Sequence, residues 1–102
     1  MMTIAVDLDG TLAVYNGWIS AEHIGAPVPE MKQKVMKWLE EGVEVVIFTA
    51  RAETDYETGI VHTWLKRNGF PELEVTNIKR KSFQEIYDDR AYRVLRNRGI
   101  VL

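Results

Sequence analysis

An α/β domain with a mostly parallel sheet and helices on both of its faces is the fold class this sequence predicts, and three observations carry it. Short β-branched, apolar runs alternate with stretches whose apolar residues recur at helical spacing. Polar groups stand at or just after the ends of these runs: Asp7 and Asp9, Thr49 and Arg51, Lys79, and Asp88 and Asp89. The chain has 102 residues, the usual size of one domain, so a single domain over 1–102 is expected, with no room for a second.

The elements follow in order. Thr3 to Val6, continuing to Leu8, reads as a buried strand that delivers Asp7 and Asp9 to its end before Gly10 stops it. Leu12 to Pro29 loses periodicity and gathers Asn16, Gly17, Ser20, Gly25 and Pro27, so an irregular excursion is expected there, long enough to have a task. Pro29 suits a first helical turn, and Met31, Val35, Met36, Trp38 and Leu39 carry a helix to Gly42. Val43 to Phe48 is near-continuously apolar, the pattern of a strand buried on both faces, and closes on Thr49.

A second helix is expected from Glu53 or Thr54 to Asn68, with Ile60, Val61, Trp64 and Leu65 as its apolar side and Gly69 as its stop. Leu73 to Thr76 and Gln84 to Tyr87 supply a third and a fourth strand, and Val94–Leu95 with Ile100–Leu102 are expected to add edge pieces. Trp38 and Trp64 belong to the core by this pattern, and His62 to the helix surface.

Composition narrows the chemistry. With 46% hydrophobic and 27% charged residues the chain can bury a core without staples. The absence of cysteine removes disulfides, thiolate nucleophiles and Cys-based metal sites, and fits a cytoplasmic protein. The N-terminal stretch meets Asp7 before a signal-peptide apolar region can develop, and no run approaches spanning length, so no membrane partner is expected. A net charge of −2 gives no global footprint for nucleic acid, yet Lys79, Arg80, Lys81, Arg90, Arg93, Arg96 and Arg98 make the last quarter locally basic. That bias suits either a phosphate ligand or simple solvation.

In an α/β sheet, ligands bind in the crevice beyond the carboxyl ends of the strands, which is where the polar groups fall. Two carboxylates flanking Leu8 at a buried strand end need a cation. Asp88 and Asp89 bring another pair, and oxygen donors without Cys or nearby His point to a hard ion such as Mg²⁺ and hence to phosphate chemistry. An EF-hand does not account for the first pair, because aligning Asp7, Asp9 and Gly10 to that loop puts Ala5 at its first ligand position and Asn16 at its last.

The stretch Asp7-Leu8-Asp9-Gly10-Thr11-Leu12 resembles the DxDGT signature of haloacid dehalogenase (HAD) superfamily phosphatases. Thr49 is similar to that family's second motif, Lys79 to its third and Asp88-Asp89 to its fourth, all in family order. The ordering of Phe48-Thr49-Ala50-Arg51 before Asp88-Asp89-Arg90-Ala91 also resembles small HAD-like proteins of bacteria and phages. The resemblance implies a Rossmann-like HAD domain without a cap and a Mg²⁺-dependent phosphohydrolase. Asp7 would be the nucleophile, forming an aspartyl-phosphate, and Asp9 the proton donor and acceptor. Thr49 would bind the phosphoryl group, and Lys79, or Lys81 in its place, would neutralise charge in the transition state. The metal would be held by Asp7, the Asp9 carbonyl and Asp88, with Asp89 ligating through water or orienting the lysine.

Arg51 and Arg90 are candidates for binding substrate or for structural ion pairs, and Tyr15, Trp18 and His23 for a flap over the site or for anchoring the excursion. The expected partner is a phosphorylated substrate: a nucleotide, a sugar phosphate, or a macromolecule such as a nucleic-acid end. Two other functions fit the same residues. One is a non-catalytic phosphate- or partner-binding module, which would have little need for Asp9, and the other is a phosphotransferase.

Overall fold

The computed structural model describes residues 2–102, so Met1 of the expected domain 1–102 lies outside the described residues. Four strands, β1 (Thr3–Val6), β2 (Glu44–Phe48), β3 (Glu74–Thr76) and β4 (Glu85–Tyr87), and two helices, α1 (Pro29–Glu40) and α2 (Asp55–Arg67), make a small α/β fold. The sheet order is β3-β2-β1-β4, with every pair parallel. In register, Val6 pairs with Ile47 and with Tyr87, and Phe48 pairs with Thr76. The two central strands are the near-continuous apolar runs of the sequence, as burial on both faces requires.

Both helices are bounded by chemistry visible in the chain. Pro29 opens α1, where its missing N–H costs nothing. The Thr54 hydroxyl caps α2 by accepting from the Glu57 N–H at 3.1 Å. Each helix then ends the same way. Gly42 and Gly69, at φ 84° and 81°, follow the last turns, and the Val43 and Phe70 N–H groups return to the Trp38 and Leu65 carbonyls at 2.9 and 3.0 Å.

The expectation of helices on both faces is corrected. Ile4, Val6, Val45 and Ile47 share one face of the sheet and one core cluster with Val35 of α1 and with Val61, Trp64 and Leu65 of α2. Lys32 of α1 donates to the Asn68 carbonyl at the end of α2 at 2.6 Å, so the helices lie side by side. The cause is topological: β1 to β2 and β2 to β3 step the same way across the sheet, and two right-handed crossovers in one direction place their helices on one face. The opposite face carries Ala5 and Val46, and Phe83 of the β3–β4 connection packs against Phe48 there with ring centroids 5.6 Å apart.

The expected excursion Leu12 to Pro29 is a loop over 12–28, with a closed stem and no helix, up to Pro29, which opens α1. Val14 donates to the Ala26 carbonyl and Val28 to the Leu12 carbonyl, each at 2.8 Å, and the Trp64 indole N–H holds the Gly25 carbonyl from α2. The C-terminal strand pieces do not join the sheet. Val94 and Val101 form an antiparallel bridge in a small hairpin of their own that turns through Asn97 and Gly99, both at positive φ. Among the described residues no helix is long and apolar enough to cross a membrane.

Candidate functional site

Strand register builds the site. One step past the Val6–Ile47 and Val6–Tyr87 pairs come Asp7, Phe48 and Asp88, side by side at the carboxyl edge, with the Asp7 N–H held by the Tyr87 carbonyl at 2.9 Å. One residue further, Thr49 donates its N–H to the Thr76 carbonyl at 2.9 Å. Connections leave β1 toward β2 and arrive at β4 on its other side, so Asp7 and Asp88 flank the point where strand order reverses. A crevice of about 720 Å³ opens there, and its walls include Asp7, Asp9, Thr49, Arg51, Asp88 and Asp89.

Carboxylate oxygens of Asp7, Asp88 and Asp89 lie within 4.8 Å of one another. The Thr11 hydroxyl donates to Asp89 Oδ1 at 3.0 Å and lies 3.5 Å from Asp7 Oδ2, while accepting from the Asp89 N–H. Gly10, at φ 88°, makes the packing of this cluster possible, because a Cβ there would collide with the Asp89 carboxylate. Burial, then the Asp88 charge and a hydrogen bond to Asp89, push the Asp7 carboxyl up to about 7. Three crowded carboxylates, one of them half-buried and reluctant to ionise, form a donor set that fits a hard divalent cation. Gly10→Ala should therefore displace Asp89 and strain the backbone, and if the three carboxylates hold a divalent cation, its affinity measured by calorimetry should fall at least tenfold. Unchanged affinity would remove Asp89 from the cation site.

Asp9 faces another partner. Arg51 Nε and Nη2 donate to Asp9 Oδ2 and Oδ1 at 2.6 and 3.2 Å. The remaining donors reach carbonyls of the 12–28 loop: Nη1 to Ala21 at 3.0 Å and to Ser20 at 3.5 Å, and Nη2 to His23 at 2.8 Å. The Trp18 ring stacks over the guanidinium at 4.8 Å. Of the two roles open to Arg51, the geometry favours the ion-pair hub: it borders the crevice, but it is 6% exposed and its five N–H groups have acceptors inside the protein. Arg51→Ala would strand the Asp9 carboxylate and three carbonyls. An unfolding free energy lower by about 3 kcal/mol is expected from denaturant titration, with faster proteolysis inside residues 14–26. A loss below about 1 kcal/mol would contradict the hub.

The Thr49 hydroxyl is buried and accepts from the Arg51 N–H at 3.1 Å, which leaves its own hydrogen to donate. Lys79 is not brought into the crevice wall. It stands exposed, without an ion pair among the described residues, on the connection that leaves β3 at the same carboxyl edge; Lys81 is exposed as well, and Arg80 pairs with Glu74. Asn77, directly after β3, lines the crevice instead. Asn77 was findable by the strand-end rule that selected Thr49, and Thr11 by its place beside Gly10; neither received a role from sequence. Tyr15 and Trp18 line the crevice, whereas His23 contributes its carbonyl to Arg51. Comparison with models of known protein families, with curated proteins and with solved structures gives no match.

Proposed function

We propose that this chain is a Mg²⁺-dependent phosphomonoesterase on a capless HAD-type domain, working through an aspartyl-phosphate on Asp7. The observation that carries the proposal is the convergence of the Asp7, Asp88 and Asp89 carboxylates, within 4.8 Å of one another, on a crevice that also holds the Thr49 hydroxyl and Asp9. Asp7, Asp88 and Asp89 would hold the cation, which when bound offsets the repulsion between a carboxylate nucleophile and a phosphate anion.

Thr49 binds a phosphoryl oxygen through its free hydroxyl hydrogen. Asp7 forms a bond to phosphorus as the ester oxygen leaves, and Asp9 supplies that oxygen with a proton. Water then attacks the phosphorus of the aspartyl-phosphate, gives its proton to Asp9, and restores Asp7 with release of inorganic phosphate. Arg51 occupies one lone-pair site on each Asp9 oxygen, and the outer sites stay available for proton transfer. A phosphatase assay with p-nitrophenyl phosphate tests the proposal. Turnover should require Mg²⁺, stop on chelation, return on readdition, and be inhibited by Ca²⁺, whose larger and looser shell misplaces the nucleophile. Full activity after exhaustive chelation would defeat it.

A further inference from the structure

We infer that the substrate phosphate sits at the end of a single-stranded nucleic acid, whose chain leaves the crevice over Arg90 and the C-terminal hairpin; the inference rests on the phosphomonoesterase proposal. Residues 90–102 hold Arg90, Arg93, Arg96 and Arg98 and no carboxylate side chain, although the whole chain is at −2. All four are exposed, and among the described residues none makes an ion pair or a side-chain hydrogen bond. Such a run is commonly just a solvated face. Here its first member lines the crevice beside Asp88 and Asp89, so the basic stretch begins at the reaction site.

Aromatic rings stand at the same place. Trp18 is 58% exposed with one face on Arg51, leaving the other for a ligand, and Tyr15, also in the crevice wall, is 43% exposed. Tyr92 is 80% exposed and follows Arg90 by two residues, a chain distance of about 7 Å. Rings in the crevice wall, followed by Tyr92 between the unpaired Arg90 and Arg93, offer stacking and charge in the order that bases and phosphates along a single strand would use. Glu53 and Glu57 also line the crevice; they follow β2, which β1 separates from β4, and would repel further phosphates and direct the strand to the β4 side. A free mononucleotide in the crevice meets Tyr15, Trp18 and Arg90, but Tyr92, Arg93, Arg96 and Arg98 lie outside the crevice wall and are left to a longer strand.

The test compares kcat/KM for a 5′- or 3′-phosphorylated single-stranded dodecanucleotide with that for the matching mononucleotide, p-nitrophenyl phosphate and a phosphoserine peptide. The oligonucleotide is expected to exceed the mononucleotide at least tenfold in low salt. That advantage should fall about tenfold between 50 and 200 mM salt, as two or three phosphate contacts dictate. Combining R93E, R96E and R98E should lower the ratio of oligonucleotide to p-nitrophenyl phosphate efficiency at least tenfold, and the wild-type salt dependence decides the matter should that variant fail to fold. Equal efficiency for oligonucleotide and mononucleotide, a salt-independent advantage, or preference for the phosphopeptide would overturn the inference while leaving the phosphomonoesterase standing. Absence of turnover on every ester, p-nitrophenyl phosphate included, would bring down both.

Discussion

Replacing Asp7 by Asn is expected to lower turnover by about 10⁴-fold or more, the scale seen when a covalent nucleophile is removed. The amide keeps the volume of the side chain and its place at the end of β1, where the backbone N–H is held by the Tyr87 carbonyl. It also relieves the crowding with Asp88 and Asp89. The variant should therefore fold at least as well as the wild type while losing the atom that attacks phosphorus, so inactivity could not be assigned to unfolding. Brief reaction with a labelled ester followed by acid quench should trap phosphate on wild-type Asp7 and nothing on Asp7→Asn. Near-normal phosphatase activity in that variant would sink the mechanism, whatever the metal dependence.

How much of this was legible in the sequence depends on whether the cause was local. The limits of α1 and α2 were, because Pro29, Thr54, Gly42 and Gly69 act within a few residues of where they stand. The meeting of Asp7, Asp88 and, one residue further along its strand, Thr49 was legible as well, since each closes an apolar run and parallel register brings run ends to one edge. The face on which the helices pack was not, because it follows from strand order, which no single run encodes. Arg51 was open for a similar reason. Its acceptors are Asp9, 42 residues away, and backbone carbonyls of Ser20, Ala21 and His23, which carry no side-chain signature. The pieces expected at the sheet edge near Val94 and Val101 form no strand of the sheet; they meet each other in a single isolated bridge, a pairing that neither run encodes by itself.

The second large effect expected is a coupling of stability, pH and Mg²⁺ through the same carboxylate. Burial and the neighbouring Asp88 raise the folded Asp7 carboxyl to about 7, well above its ordinary value of 3.8. The folded state thus binds the Asp7 proton more tightly than the unfolded state does. Its contribution is complete below about pH 4 and is lost as pH rises through 7, so the metal-free protein should weaken across that window. Mg²⁺ competes with the proton for the same oxygens, and its stabilising effect must therefore grow as the proton leaves. At a concentration 100 times its dissociation constant it should add about 2.7 kcal/mol. For a domain of this size that raises Tm by about 10 °C at pH 8, with little change at pH 5. Subtracting the Asp7→Asn curve isolates Asp7 from the other titrating groups, since the amide neither titrates nor ligates as a carboxylate does. The wild-type-minus-variant difference should fall with pH in the absence of metal and recover with Mg²⁺ only on the alkaline side. A flat difference, or a Mg²⁺ shift in Tm that is equal at pH 5 and pH 8, would separate Asp7 from the cation and leave Asp88 and Asp89 as an ordinary acidic patch.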